Sequence, residues 1–343
     1  MSQRVKWVLV VGLLVLLALP ANPSSAWAAD CDQWGQWSWM MEFFEVATPE
    51  DVRGCLSAGA DANAINIDAP LHWAASGDPA IVALLIEHGA DVNIKGDFGH
   101  TPLHYAVRSG NPKNVVLLLD AGADVSAWNN NGYHPTTPLH DAATIGNIEI
   151  LHLLLDAGAD VSAHPGFTDT PLHSAAWFSG DPAVIQVLLD AGSDVNVPPD
   201  QTFVVGGEGI LTSSPLHSAA ARAMLFKAPD EESWCHRVPP AEEVAGLTLL
   251  LEAGADVNAR THVWEDQNWE HYSATWGETP LHYAAAGGCE LAIETLLDFG
   301  ADPTLHDAKG NTPWDFIKDR EELKATEAYR RLREATLGED QDP

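Results

Sequence analysis

Thr101-Pro102-Leu103-His104-Tyr105-Ala106-Val107-Arg108-Ser109-Gly110-Asn111-Pro112, followed by Lys113-Asn114-Val115-Val116-Leu117-Leu118-Leu119-Asp120-Ala121-Gly122-Ala123-Asp124, is the stretch on which the fold turns. Thr then Pro is a helix start. The hydroxyl can cap, and Pro at the first helical position gives up an N–H that has no intrahelical partner anyway. The short helix that follows is small on one face at Ala106, so a neighbour can approach closely. Gly110-Asn111-Pro112 is a turn, and Asn before Pro is again a cap and a first helical residue. The second helix carries the apolar run Val115 to Leu119 and stops at Gly122, which supplies a left-handed C-cap. Asp124-Val125-Ser126 then opens a polar loop.

This punctuation recurs. Pro-Leu-His stands at 70–72, 102–104, 138–140, 171–173, 215–217 and 280–282, with a degenerate copy at Thr312-Pro313-Trp314. Two residues after each histidine comes an alanine: Ala74, Ala106, Ala142, Ala175, Ala219 and Ala284. Gly-Ala-Asp follows at 89–91, 122–124, 158–160, 254–256 and 300–302, with Gly192-Ser193-Asp194 as a variant, and Gly59-Ala60-Asp61 precedes the first Pro-Leu-His. Two motifs in phase at a period of about 33 residues resemble the ankyrin repeat, whose signature is T-P-L-H-x-A. The resemblance covers about residues 36–337. It implies an all-α repeat solenoid of stacked helix–turn–helix units with projecting β-hairpin finger loops. One unit cannot bury its own apolar face, so the units form one repeat domain. About eight units are expected, with end caps at 36–66, which lacks Pro-Leu-His, and at 309–337, which lacks Gly-Ala-Asp. The tail 338–343 is expected to be disordered.

Length and charge fit this reading. The chain has 343 residues and a formal charge of −32, from 17 Lys and Arg against 49 Asp and Glu. Such a balance argues against nucleic acid, which needs a basic patch, and against anionic lipid. Residues 1–28 read as a secretory signal: Arg4 and Lys6, the apolar run Trp7 to Leu19, breakers at Pro20 and Pro23, and Ala26-Trp27-Ala28 as the cleavage site. Cut after Ala28, the chain begins with a short segment, 29–35, and carries −34. The run is too short for a membrane span, so the expectation is a soluble monomer in the periplasm or outside the cell.

Three insertions break the period, near 197–210, 223–244 and 261–276. Insertions in repeat arrays map to loops, often on the binding face. The third is rich in aromatics: Trp264, Trp269, Trp276 and Tyr272, with His262, His271, Glu265 and Glu270. Such rings are either interaction hot spots or a small cluster covering the loop. A lesser finger extension adds Trp128, Tyr133 and His134. Partner-contacting positions in the family lie at the finger tips and after the alanine pair of the first helix, where this chain holds Trp177 and Phe178. The expected partner-binding residues are therefore Trp128, Tyr133, Trp177, Phe178, Trp264, Trp269 and Trp276.

Of the 15 histidines, the resemblance makes His72, His104, His140, His173, His217 and His282 structural, hydrogen-bonding between units. His262 and His271 with nearby glutamates could hold a metal, but no helical H-x-x-x-H or C-x-x-C spacing supports it. No nucleophile elbow, phosphate loop or dinucleotide fingerprint is present, so no catalytic residue, metal or cofactor is expected. Four cysteines allow three pairings. The stacking that the resemblance implies favours Cys31–Cys55, tying down the first cap, and Cys235–Cys289, joining equivalent turns of adjacent units. The expected function is a non-enzymatic protein–protein interaction scaffold outside the cytoplasm, whose acidic field favours a basic partner. The alternatives are an enzyme or metal site in 197–276 using His236, Glu242, His262 and His271, or a small-ligand or carbohydrate binder using the Trp264, Trp269 and Trp276 rings.

Overall fold

The computed structural model describes residues 31–130, 135–164, 170–197, 214–222, 244–261 and 277–338. The expected leader, nearly all of the three insertions and residues 339–343 of the tail lie outside the described residues. The chain divides into two compact units, residues 1–124 and 125–343.

Counting only the described residues of both units, the first contains three helix pairs: α1 (Trp37–Val46) with α2 (Pro49–Ser57), α3 (Pro70–Ala75) with α4 (Pro79–Glu87), and α5 (Pro102–Arg108) with α6 (Pro112–Asp120). The second contains five: α7 (Pro138–Ile145) with α8 (Ile148–Asp156), α9 (Pro171–Ser174) with α10 (Pro182–Asp190), α11 (Pro215–Ala221) with α12 (Ala245–Glu252), α13 (Pro280–Gly287) with α14 (Glu290–Asp298), and α15 (Pro313–Ile317) with α16 (Glu327–Leu337).

Each pair forms for the local reasons its residues carry. From α3 on, each first helix starts with Pro at its first position, after an extended cap residue at Thr101, Thr137 and Thr279 among others. Most second helices are capped by side chains, though not those after Val244 and Cys289: Asp78 accepts from Ala80 N–H, Asn111 from Lys113 N–H, Asn147 from Ile150 N–H and Asp181 from Ala183 N–H. Left-handed glycines end them, with φ of 83° at Gly89 and 90° at Gly122. The leucine of each Pro-Leu-His is fully buried, at Leu71, Leu103, Leu139, Leu172, Leu216 and Leu281. Burial of a leucine side chain is worth about 2 kcal/mol. The second helices add stripes at three- and four-residue spacing, such as Ile150, Leu151 and Leu154, or Val184, Ile185 and Leu188.

The finger loops differ from the expected β-hairpins. No strand occurs among the described residues. Fingers close instead on one or two backbone bonds: Gly96 N–H to His100 O, Asn129 N–H to Thr136 O, Asp307 N–H to Asn311 O, and Thr261 N–H to Glu278 O with Gly277 N–H to Thr261 O. In the 96–100 and 307–311 loops, whose residues are all described, side chains such as Asp68 and Asp307 take up further backbone N–H groups, and no ladder extends there.

The ends are built from different parts. Cys31 and Cys55 are disulfide-bonded, with Cα atoms 5.3 Å apart. Over them lies an aromatic cluster in which Trp39 stacks on Phe43 at 4.5 Å and Trp34 packs edge-on against Phe43 and Phe44. Trp34 Nε1 donates to Asp61 O at 2.8 Å. In the last pair Trp314 meets Tyr329 at 4.7 Å and Arg331 pairs with Asp298 at 2.8 Å. No helix among the described residues is long and apolar enough to cross a membrane.

Candidate protein-binding surface

The repeat histidines prove to be caps as well as links. Each sits third in its helix, where a capping box would place Glu or Gln. Ala69 N–H donates to His72 Nδ1 at 3.0 Å, Thr101 N–H to His104, Thr137 N–H to His140, Thr170 N–H to His173 and Thr279 N–H to His282, all through Nδ1. A backbone N–H can only donate, so Nδ1 carries the lone pair and Nε2 the proton. Nε2–H then donates to a carbonyl of the next pair: His72 to His100 O at 3.0 Å, His217 to Glu278 O at 3.1 Å and His282 to Asn311 O at 3.2 Å. Burial holds these rings neutral, pushing His217 down to about 4 and lowering His72 and His282 below the ordinary imidazole value. At Thr312 the cap acceptor is the Asp315 carboxylate, 2.8 Å from Thr312 N–H.

Two linking devices escaped the sequence reading. The asparagine of Asp-Val-Asn or Asp-Ala-Asn spans to the next Gly-Ala-Asp. Asn63 Nδ2 donates to Gly89 O at 2.9 Å while its Oδ1 accepts Asp91 N–H at 2.7 Å. Asn93 does the same to Gly122 and Asp124, Asn196 to Gly254 and Asp256, and Asn258 to Gly300 and Asp302. The in-phase recurrence of Asn two residues after that Asp was the available signal. The second device caps first-helix C-termini from the following pair. Asn114 Nδ2 reaches Ala75 O and Gly77 O at 2.9 Å, and Arg320 Nη2 reaches Ala286 O.

One pair has the longest step among those without an insertion. From the motif histidine to the next cap is six residues for His72 to Asp78 and seven for His104 to Asn111, His140 to Asn147 and His282 to Cys289, but eight for His173 to Asp181. The extra residue is absorbed by a π-helical turn, Ala175–Ser179, closed by Gly180 N–H to Ala175 O at 2.7 Å. Such turns are frequent at functional sites. Gly180 has φ 63°, and the Arg222 guanidinium occupies the space of its missing Cβ, with Arg222 Nη2 donating to Ser179 O at 2.9 Å. The turn projects Phe178, 55% exposed, beside a half-buried Trp177, their rings edge-on at 6.5 Å. Ile145, exposed, precedes Gly146, where an added Cβ would meet the Ser179 side chain at the end of the π-turn. The result is an exposed Phe178 beside Trp177 on the π-turn, with exposed Ile145 at the end of the first helix of the preceding repeat.

The other expected contact residues fare differently. Trp128 lies half-buried, its ring 5.6 Å from His140, so part of it packs within its own repeat. Tyr133, Trp264, Trp269 and Trp276 lie outside the described residues, as do His236, Glu242, His262 and His271. So does Cys235; Cys289 is buried at the cap of α14. Among the described residues no group of three or more His, Cys, Asp and Glu is placed to hold a metal.

A protein whose described residues are helix pairs linked through capping histidines and asparagine clamps is a helical repeat protein. The description "Ankyrin repeats (3 copies)" matches residues 47–129 and 126–198, and "Ankyrin repeat" matches 276–308. The chain belongs to the ankyrin-repeat family. It is 36% identical over 78 residues to Rabankyrin-5 of Mus musculus, which is 23% of this chain and 7% of that protein. It is 48% identical over 46 residues to a putative ankyrin repeat protein of Rickettsia bellii, 13% of this chain and 19% of the relative. The matched stretches thus span under a fifth of these relatives' lengths. The human ASB11 ankyrin repeat domain superposes with a TM-score of 0.58 at 23% identity, covering 80% of this chain and 99% of that one.

Proposed function

We propose that this chain is a protein–protein interaction scaffold acting outside the cytoplasm, with no chemistry of its own, and that the Ile145, Trp177 and Phe178 patch is its principal contact surface. The observation that carries it is the π-turn: a step one residue longer than in the neighbouring repeats projects an exposed Phe178 beside a half-buried Trp177, where packing alone has no use for Phe178. Aromatic anchors on rigid elements lose little entropy on binding and dominate interface energetics. The signal-like residues 1–28 support delivery across a membrane, and the charge of −32 favours a basic partner.

A photo-crosslinking amino acid in place of Phe178, in the full chain expressed in its own cell, should yield a discrete adduct in the extracytoplasmic fraction, identified by mass spectrometry. The purified partner should then bind Phe178→Ala at least about tenfold more weakly than wild type, with unchanged stability because the ring is exposed. Equal affinity for wild type, Phe178→Ala and Trp177→Ala would remove the patch from the interface.

A further inference from the structure

Phe98 is the one non-glycine residue with positive φ among the described residues, at φ 52° and ψ 22°. It is followed by Gly99 at φ 72°, and His100 N–H donates to Asp97 O at 3.2 Å across the pair. Two successive positive φ values inside one such bond are the pattern of a type I′ turn, whose preferred residues are Asn-Gly. A bulky side chain in the left-handed region is an outlier and is strained. Here that side chain is also 58% exposed, so no packing offsets the strain. Nothing in the fold of this finger calls for phenylalanine.

Its surroundings say what it serves. The preceding finger carries Ile65, 54% exposed, and Ile67, 40% exposed. The two fingers touch where Asp97 N–H donates to Asp68 Oδ1 at 3.1 Å, one residue from Phe98 on one side and from Ile67 on the other. Asp68 is itself held from beneath by Tyr105 Oη–H at 2.8 Å, so the junction is braced. Asp97 beside Phe98 is exposed, as are Asp61 and Asp91 on the turns that lead into these two fingers. Residues 31–124 as a whole hold thirteen Asp and Glu against four Lys and Arg.

We infer that the Ile65, Ile67 and Phe98 finger tips are a second docking surface, distinct from the π-turn patch, for a basic peptide segment bearing an apolar anchor residue. Phe98 is the contact residue for which the turn's strain is retained. The inference rests on the scaffold reading for its biological setting, but not on the π-turn patch.

The test uses the full chain and three fluorescent synthetic peptides: a leucine–tryptophan anchor flanked by lysines and arginines, the same anchor flanked by glutamates, and the basic flanks with a glycine–serine centre. The first should bind wild type, more weakly at high salt, and at least about tenfold more tightly than either of the others. Phe98→Asn should raise the urea midpoint, because asparagine suits the turn, and weaken the first peptide about tenfold or more. A variant that is more stable yet binds less cannot be failing to fold. Undiminished binding by Phe98→Asn, equal binding of basic and acidic peptides, or an unchanged urea midpoint would overturn the inference. A Phe178 adduct formed while every peptide fails would defeat this surface and leave the scaffold reading standing.

Discussion

Replacing His217 with glutamine should change how stability depends on pH more than it changes stability itself. His217 is fully buried, takes the cap at Ser214 through Nδ1 and donates Nε2–H to Glu278 O. Protonation would put a second N–H on Nδ1, facing the Ser214 hydroxyl and losing its acceptor role. Burial therefore holds the folded value at about 4, against about 6.5 in the unfolded chain. Because the folded value is the lower one, the unfolded state binds more protons as pH falls from 6.5 to 4. The histidine's contribution is complete above pH 6.5 and drains away down to pH 4. Each pH unit inside that window is worth about 1.4 kcal/mol, so the loss is about 2 kcal/mol at pH 5 and about 3 kcal/mol over the whole window. Glutamine keeps an acceptor at the capping-box position but does not titrate and forfeits the bond to Glu278. His217→Gln should therefore be less stable than wild type by about 1–2 kcal/mol at pH 8, with the gap closing near pH 5. Urea unfolding followed by circular dichroism at pH 8, 7, 6 and 5 reads this directly. Relief of carboxylate self-repulsion and titration of Asp302, Asp307 and Asp315, all lowered, are common to both proteins and cancel in the difference. Parallel stability lines for the two proteins from pH 8 to pH 5 would refute a neutral, buried His217.

Further expectations concern the links and ends. Asn63→Ala removes both clamp bonds to Gly89 and Asp91 and should cost about 1–2 kcal/mol in chemical unfolding. Ser162→Asn, at a position where other repeats hold the clamp, should raise the thermal midpoint by an amount equivalent to about 0.5–1 kcal/mol; no rise would mean that the next Gly-Ser-Asp lies out of reach. Reducing Cys31–Cys55, which closes a loop of sequence separation 24, should cost about 3 kcal/mol and expose the Trp34 and Trp39 cluster, read as a fluorescence shift on adding dithiothreitol. Arg320→Ala strips a donor from the end of α13 and should lower stability by about 1 kcal/mol, whereas Arg320→Lys should recover part of it.

Much of this protein is legible along the chain because the repeat is made of local decisions. Thr-Pro starts, Asn and Asp caps, glycine stops and the small first-helix face each depend on residues within one turn of each other. The period then follows from reading them in phase. The same locality made the eight-residue step from His173 to Asp181 visible in the sequence, though not its outcome. Whether the added residue loops out or widens the helix depends on Arg222, which arrives from the following repeat to cover Gly180.

What the tertiary structure alone decided is what each polar group faces. The backbone N–H that donates to the histidine Nδ1 is three residues away and could be guessed. The acceptor of Nε2–H is 28 residues away for His72 and 61 for His217, because an insertion intervenes, so no spacing announces it. The asparagine clamp has the same character, at separations of 26 for Asn63 and 58 for Asn196. Among the described residues the 96–100 and 307–311 fingers, expected as hairpins, close as turns whose backbone groups are met partly by side chains. No sequence motif marks Phe98; its left-handed backbone and exposed ring belong to the folded chain. Composition and periodicity report which residues will be helical and which buried. They carry no information on the direction in which an exposed turn aims its side chain, and that direction sets the surface this protein offers to a partner.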